Sequence, residues 1–231
     1  ILDTGTISVG RDASFRADVA VAVGGDGFEV DLGSLSVTED LAISTNLDAR
    51  IVNASALILG TANGVTFDVD GDFYATATAG TITDSATVSM GTAATDRAQF
   101  TSTGAGGALD LGTLNVAGEL AIDTVGDAIL VNAGTINFSE YYTDPTDANT
   151  DQNSHVVGSL TTESNTGRII DTGLTVPGND RFLQVDGEIL MEANAAGQDI
   201  TLRALDPNAA NNAAFQANGA AGFVNVTSFD S

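Results

Sequence analysis

The sequence predicts an all-β fold, a parallel β-helix (β-solenoid) of roughly nine coils in one domain over residues 1–231. Three observations lead to this prediction: a long internal repeat, short segments that alternate apolar and polar residues, and weak evidence for helices. An antiparallel β-sandwich is the alternative, because it is also built from short alternating strands.

The internal repeat is gapless. Residues 32–54, LGSLSVTEDLAISTNLDARIVNA, match residues 111–133, LGTLNVAGELAIDTVGDAILVNA, at 13 of 23 positions. A second element, ILDTGTISVG at 1–10, returns as ITDSATVSMG at 82–91 and as IIDTGLTVPG at 169–178. The repeats divide the chain into units of about 1–81, 82–168 and 169–231, the third of them diverged.

The distance between the repeats favours the solenoid. A 79-residue unit divides into three coils of about 26 residues, a typical coil length for solenoids. Winding supplies the crossovers that parallel strands need, and coils stacked about 4.8 Å apart would make a rod about 40 Å tall. A sandwich gives no reason for a gapless 79-residue register.

The alternating segments share one signature: an apolar residue, any residue, Val, a corner with an acid, and then a second apolar alternation. In the first of them Leu35 and Val37 share one face, and Leu41 and Ile43 resume the alternation after the corner. We therefore expect strand, corner, strand units. The four copies are LSVTEDLAI (35–43), FDVDGDFYA (67–75), LNVAGELAI (114–122) and LQVDGEILM (183–191).

Helix signals are weak throughout. The chain has 26 Gly residues and many Thr and Val residues, and no apolar stripe of helical spacing exceeds about three turns. The Ala-rich segment 206–222, DPNAANNAAFQANGAAG, is rich in Asn and Gly, which favours a loop. Residues 139–167 are polar, contain a Pro and interrupt the repeat, so they are predicted to form one inserted surface loop.

Composition limits the possible partners. The chain carries 31 acidic residues against 7 Arg and no Lys, for a net charge of −24. Nucleic acid and anionic membrane are excluded as partners because both require clustered cations, and no apolar run is long enough for membrane insertion. The chain has no Cys, and its low aromatic content of 6% is typical of repetitive extracellular or cell-surface proteins.

No cofactor is required by this interpretation, but one segment offers ligands for calcium. Asp144, Asp147, Asn149, Asp151 and Asn153 lie in the predicted insertion, the last four at two-residue intervals. Alternate side chains of a curved loop can direct their oxygens at one hard cation. The EF-hand glycine and distal glutamate are lacking, so a solvated acidic loop remains the alternative.

A second, weaker calcium pattern is DVDGD, with Asp68, Asp70 and Asp72. It coincides with a predicted corner, which also explains these residues as solvated positions. GGDGFEVDL at 24–32 approximates a calcium-binding nonapeptide, but Glu29 replaces the expected Asp in this single copy.

Catalytic signals are poor, and the chain is predicted not to be an enzyme. His155 is the only His, it lies in the predicted insertion, and neither Cys nor a nucleophile-elbow Ser accompanies it. Thirty-one acids make carboxylate pairs inevitable, so such pairs indicate nothing. Asn53 and Asn132 occupy equivalent repeat positions, and each either forms an inward amide ladder or faces outward.

The cadence GxLxVxGxLxI, together with ITDSATVSMGTA and GALDLGTLNVAGELAI, resembles the degenerate repeats of large secreted proteins of the filamentous-haemagglutinin and autotransporter-adhesin type. The resemblance covers most of the chain outside 139–167. It implies a right-handed parallel β-helix that acts outside the cell in adhesion or as a fibre shaft.

These observations favour an extracellular structural protein, a subunit or segment of a surface filament or adhesin. Its expected partner is itself, because uncapped solenoid ends expose strand edges that invite end-to-end stacking. A calcium-dependent surface-layer subunit, or a module that binds a cell-surface glycan, is the alternative function.

Overall fold

The computed structural model describes residues 1–17, 28–142, 151–173, 183–206 and 212–228. The described residues form 25 strands and no helix, so the fold is all-β. The strands are short because the apolar alternation that defines them runs for only a few residues between corners.

The strands have the following bounds: β1 Ile7–Val9, β2 Ala13–Ala17, β3 Val30–Val37, β4 Asp40–Thr45, β5 Ala49–Asn53, β6 Leu57–Leu59, β7 Phe67–Val69, β8 Phe73–Ala77, β9 Ile82–Asp84, β10 Val88–Met90, β11 Arg97–Ser102, β12 Leu109–Val116, β13 Glu119–Thr124, β14 Ala128–Asn132, β15 Ile136–Ser139, β16 Tyr141–Tyr142, β17 Asp151–Gln152, β18 Ser154–Val156, β19 Leu160–Ser164, β20 Ile169–Gly173, β21 Leu183–Val185, β22 Ile189–Ala193, β23 Ile200–Asp206, β24 Ala213–Ala217 and β25 Val224–Ser228.

Two large parallel sheets contain nearly all of the described strands. Sheet A has twelve strands in the order β1-β3-β5-β8-β11-β13-β15-β20-β23-β21-β18, with β25 beside β23. Sheet B has eleven strands in the order β10-β7-β4-β6-β9-β12-β14-β19-β22-β24, with β2 beside β4. Two parallel sheets of many strands are consistent with a β-solenoid. An antiparallel sandwich needs hairpin-linked neighbours, and among the described strands only β16 and β17 pair in that way.

The predicted strand, corner, strand units are confirmed. Residues 35–43 end β3 in sheet A and continue as β4 in sheet B. Residues 67–75 and 114–122 carry the chain from sheet B to sheet A, and residues 183–191 carry it from sheet A to sheet B. Each signature is therefore a corner at which the chain changes sheet.

The second copy of the repeat lies on the opposite sheet from the first. β3 belongs to sheet A, whereas its copy β12 belongs to sheet B. The order β4-β6-β9-β12 places three pairings between β4 and β12, and β3 lies half a winding before β4. The 79-residue unit therefore spans three and a half windings instead of the three whole coils predicted. Both sheets present the same apolar alternation to the core, so either sheet accepts the same sequence.

The core lies between the inward faces of the two sheets. Leu35 and Ile43 are at most 1% exposed. The rings of Phe67 and Phe73 pack edge to face with centroids 5.1 Å apart, and Phe73 packs on Phe100 at 5.9 Å. Each such side chain contributes about 1.5–3 kcal/mol on burial. One connected cluster of buried apolar residues joins the windings.

Asn53 and Asn132 face inward and bind backbone. The Asn132 Oδ1 accepts a hydrogen bond from the Val116 N–H at 2.9 Å, and its Nδ2 donates to the carbonyls of Val116 at 3.2 Å and Thr135 at 2.8 Å. Asn53 makes the equivalent pair of bonds with the backbone of Val37. The outward orientation is therefore wrong, and the partners are backbone groups of a neighbouring winding and of the residues just after each Asn, not stacked amides.

Glycines allow close stacking at one corner. The Gly158 N–H donates to the Gly126 carbonyl at 3.1 Å, and the Gly187 N–H donates to the Gly158 carbonyl at 3.0 Å. A Cβ atom on Gly187 would lie 2.5 Å from the Gly158 oxygen. Only glycine lets the backbones of these successive windings approach so closely.

The insertion predicted at 139–167 is too long, because part of that segment belongs to the two sheets. The hairpin of β16 and β17 lies outside sheets A and B, but β18 belongs to sheet A and β19 to sheet B. Polar residues conceal β19 in the sequence, since Thr162 and Ser164 are fully buried. The Ser164 hydroxyl donates to the Gly134 carbonyl at 2.8 Å, which satisfies it in the interior.

Replacing Asn132 by Ala should lower the free energy of unfolding by about 2–3 kcal/mol, because the backbone groups of Val116 would stay buried without a partner. Asn115→Ala is the matched control, since Asn115 lies on the same strand, β12, and is exposed. Urea denaturation measures both variants. Equal losses for the two would contradict the assigned role of Asn132.

Candidate functional site

At the two ends of the described stack, each strand has one partner among the described strands. Among the described strands, β1 pairs only with β3 and β2 only with β4, while at the other end β24 pairs only with β22 and β25 only with β23. We call these four strands the edge strands. Their outer N–H and C=O groups are placed to accept a further parallel strand.

β24 lies in segment 206–222, for which the sequence predicts a loop. That prediction is wrong, because β24 pairs with β22 along its whole length. Ala213 lies opposite Ile189 at one end, and Ala217 lies opposite Ala193 at the other. The stretch AAFQA has little strand propensity of its own, so the neighbouring winding imposes the strand. The isolated Phe215 is the one sequence signal that could have revealed this edge.

The edge strands also leave the core half covered. Every partly buried apolar residue that packs on the core in the described chain lies in one of them. One winding further in, the pairing partners of Phe15 and Phe215, Ile43 and Met191, are fully buried. The half-covered residues are Ile7, Val9, Phe15, Phe215 and Val226.

Carboxylates stack on successive windings at one corner of the rod. Asp48, Asp72 and Asp96 follow one another at 24-residue intervals, a spacing that is visible in the sequence and was missed as a signal. The Asp48 Oδ1 accepts the Asp72 N–H at 2.8 Å, and the Asp72 Oδ1 accepts the Arg97 N–H at 2.7 Å. Asp48 and Asp72 thus bind the backbone of the next winding, whereas the Asp96 Oδ2 accepts the N–H groups of Thr92 and Ala93 in its own loop. Burial raises the pKa of Asp48, and the negative charges of Asp72 and Asp96 raise it further. The hydrogen bond from the Asp72 N–H acts in the opposite direction but is outweighed.

Two arginines neutralise acids on the outer face of sheet A. Arg50 makes a two-pronged pair with Asp31, with N–O distances of 2.9 and 2.8 Å, and its guanidinium lies 5.4 Å from the centre of the Phe28 ring. Arg97 contacts Glu119 at 2.9 Å. These contacts connect neighbouring windings and stabilise the stack.

The calcium ligands predicted in the insertion are mostly beyond what the structure describes. Asp144, Asp147 and Asn149 lie outside the described residues, Asp151 lies in β17, and Asn153 follows it. Calcium binding there stays a prediction.

The second calcium pattern divides between a strand and a corner. Asp68 lies on β7, whereas Asp70 and Asp72 lie at the corner before β8. Partial burial and the Asp70 carboxylate raise the pKa of Asp68, and the two oxygens of Asp72 accept bonds from the Arg97 N–H and the Tyr74 hydroxyl. Across the described residues, no three His, Cys, Asp or Glu side chains gather as a metal site.

His155 lies in sheet A, not in a surface insertion. It occupies β18, and its Nε2 lies 3.4 Å from the Asp186 Oδ2. It pairs in register with Asp123. Burial raises the pKa of Asp123 above its ordinary value, and the imidazole of His155 offsets part of that rise. Its environment is therefore two carboxylates on neighbouring windings.

Comparisons of the chain with protein-family models, curated proteins and solved structures gave no match. The described part of the chain contains no helix capable of crossing a membrane.

Asp48→Asn should raise the urea midpoint at about pH 7 and leave it unchanged at about pH 3. The folded-state pKa of Asp48 lies above 3.8, so this group destabilises the fold as pH rises through that pKa and costs nothing below 3.8. Asparagine keeps the Oδ1 acceptor for the Asp72 N–H. Asp110→Asn, at an exposed position of β12, is the control, and an equal gain in both variants would contradict this reasoning.

Calcium binding is tested by thermal unfolding in calcium and then in EDTA. If the insertion binds the ion, calcium should raise Tm, and the double change Asp147→Asn with Asp151→Asn should abolish the shift, because only the folded site binds. Asp68→Asn with Asp70→Asn examines the second pattern in the same way. A Tm that neither calcium nor EDTA changes would rule out both sites.

Proposed function

We propose that this chain is an extracellular structural protein, a β-solenoid of roughly nine windings that forms a subunit or segment of a surface filament or adhesin. In this proposal the windings act as a shaft, and the edge strands of one copy pair with those of the next. The single observation that carries the proposal is the half-covered core at both ends of the described stack.

The geometry of the edges supports end-to-end pairing. β1 and β2 form one end and β24 and β25 the other, and their partners in the sheets run parallel. The end formed by β24 and β25 can therefore continue both ladders onto the β1 and β2 end of a second copy. Such a contact joins two different surfaces, so it repeats without closing and produces a fibre.

The composition of the edges supports it as well. Strands that stay free in solution are usually protected by charged side chains. The edge strands read ISV, ASFRA, AAFQA and VNVTS, and Arg16 is their only charged residue, although 16% of the whole chain is charged. Covering their apolar residues contributes about 25 cal/mol for each Å² of apolar surface buried.

Phe215→Lys should prevent assembly, because it places a charge on the half-covered core of the edge strand β24. Gln216→Lys adds the same charge to the same strand at an exposed position on the side of the rod, and it should assemble like the unaltered protein. Sedimentation velocity and electron microscopy over a range of protein concentrations measure the effect.

The unaltered protein should form rods whose length grows with concentration. Monomers at every concentration, or equal inhibition by both lysine variants, would contradict end-to-end stacking. Melting temperatures of the two variants show whether each remains folded.

A further inference from the structure

A cleft of about 310 Å³ lies on the outer face of sheet A near the β25 end. It crosses the three windings that contain β20, β23 and β25, which pair in register through Ile169, Ile200 and Val224. Its lining includes Arg168, Ile170, Asp199, Thr201, Arg203 and Phe223. It includes Asn225 of the edge strand β25, but it opens on the outer face of the sheet and not on the free edge of that strand.

The two arginines of this cleft are free to bind a ligand. Arg168 and Arg203 are exposed, and neither guanidinium forms an ion pair or hydrogen bond in the described chain. Elsewhere Arg50 and Arg97 each contact an acid. Asp171 and Asp199 also line the cleft, but no ion pair joins them to Arg168 or Arg203 in the described chain, so both guanidinium groups can bind an anion there.

One oxygen of each acid in the cleft accepts a backbone N–H from an adjoining winding. The Asp199 Oδ1 accepts the Phe223 N–H at 3.2 Å. The buried Asp171 accepts the N–H of Arg203. The cleft therefore holds two carboxylates, each bound to a backbone N–H, beside two exposed arginines that form no ion pair in the described chain.

The remaining lining is suited to a sugar. Phe223 is 56% exposed, which is high for an aromatic residue, and its face can stack on the C–H surface of a pyranose ring. Thr201 and Asn225 pair in register on neighbouring windings and offer a hydroxyl and an amide to sugar hydroxyls. The cleft therefore combines an apolar platform, neutral polar groups and two guanidinium forks.

We infer that this cleft binds an acidic oligosaccharide whose sugars carry carboxylates. A guanidinium fork matches a carboxylate with two parallel hydrogen bonds, and Phe223 supplies the stacking surface. Nucleic acid fits poorly, because its dense phosphates require many cations and this chain would repel them. Glycan binding does not depend on end-to-end stacking, since the cleft lies on the side of the rod.

The test is calorimetric titration of the dilute protein with hexagalacturonate and with its fully methyl-esterified form. Salt of about 0.15 M screens the overall charge of the protein, and EDTA excludes calcium bridging. The acid form should bind about tenfold more tightly than the ester, because esterification removes the partners of the two guanidinium groups.

Arg168→Gln and Arg203→Gln should each weaken binding of the acid form about tenfold without affecting the ester. Phe223→Ala should weaken both forms, since stacking does not require the charge. Arg11→Gln is the control: its side chain is 86% exposed and lies outside the cleft lining, so binding should stay unchanged.

Equal affinity for acid and ester, no binding of either, or normal affinity in the double variant of Arg168 and Arg203 would overturn the inference. None of these results bears on rod formation, which sedimentation measures without glycan. Conversely, a protein that remains monomeric can still bind the acid form, so the two proposals fail separately.

Discussion

Backbone hydrogen bonding between successive windings is the constraint on which this molecule depends. In a parallel stack each strand must find a partner in the winding before and the winding after it, because an unpaired buried N–H or C=O costs more than most side-chain contacts contribute. The glycine corner at Gly126, Gly158 and Gly187 and the inward amides of Asn53 and Asn132 satisfy this demand where the ladders pause. Among the described strands, the same constraint leaves one side of the first and last strands of each sheet without a partner.

Each strand pairs in register only with the strands of adjacent windings, so windings of different lengths can share one stack. Leu120 pairs with Phe138, 18 residues later, whereas Ile136 pairs with Ile169, 33 residues later. A longer winding holds its extra residues in a loop between two strands that still join the same sheet. The entropic cost of closing such a loop grows only slowly with its length. Because both sheets present equivalent apolar faces, a repeat can also return on the opposite sheet, as β12 does relative to β3.

The strand and corner units were predictable because Leu35, Val37, Leu41 and Ile43 show the two-residue period directly. The sheet that a repeat joins was not, since a distance of 79 residues does not distinguish whole windings from half windings. β19 was missed because its buried positions include the polar Thr162 and Ser164, which hide the apolar alternation. β24 was missed because Ala213 and its neighbours have low strand propensity, so the strand comes from the ladder beside it. The cleft of Arg168 and Arg203 joins residues 35 apart that only the winding brings together.

Stacking places carboxylates of successive windings above one another. Because the chain is so acidic, their electrostatic repulsion is the main force that opposes stacking. Strands about 4.8 Å apart bring carboxylates of successive windings within strong repulsion. The chain reduces that repulsion by giving acids a backbone N–H from the next winding, as in Asp48 with Asp72 and Asp84 with Gly112. Arg50 neutralises the column at Asp31. In the end-to-end stacking proposed above, each added copy would extend these columns, so the length of the assembly should depend on ionic strength: salt weakens the repulsion along the surface but hardly affects the proposed apolar contact between the ends.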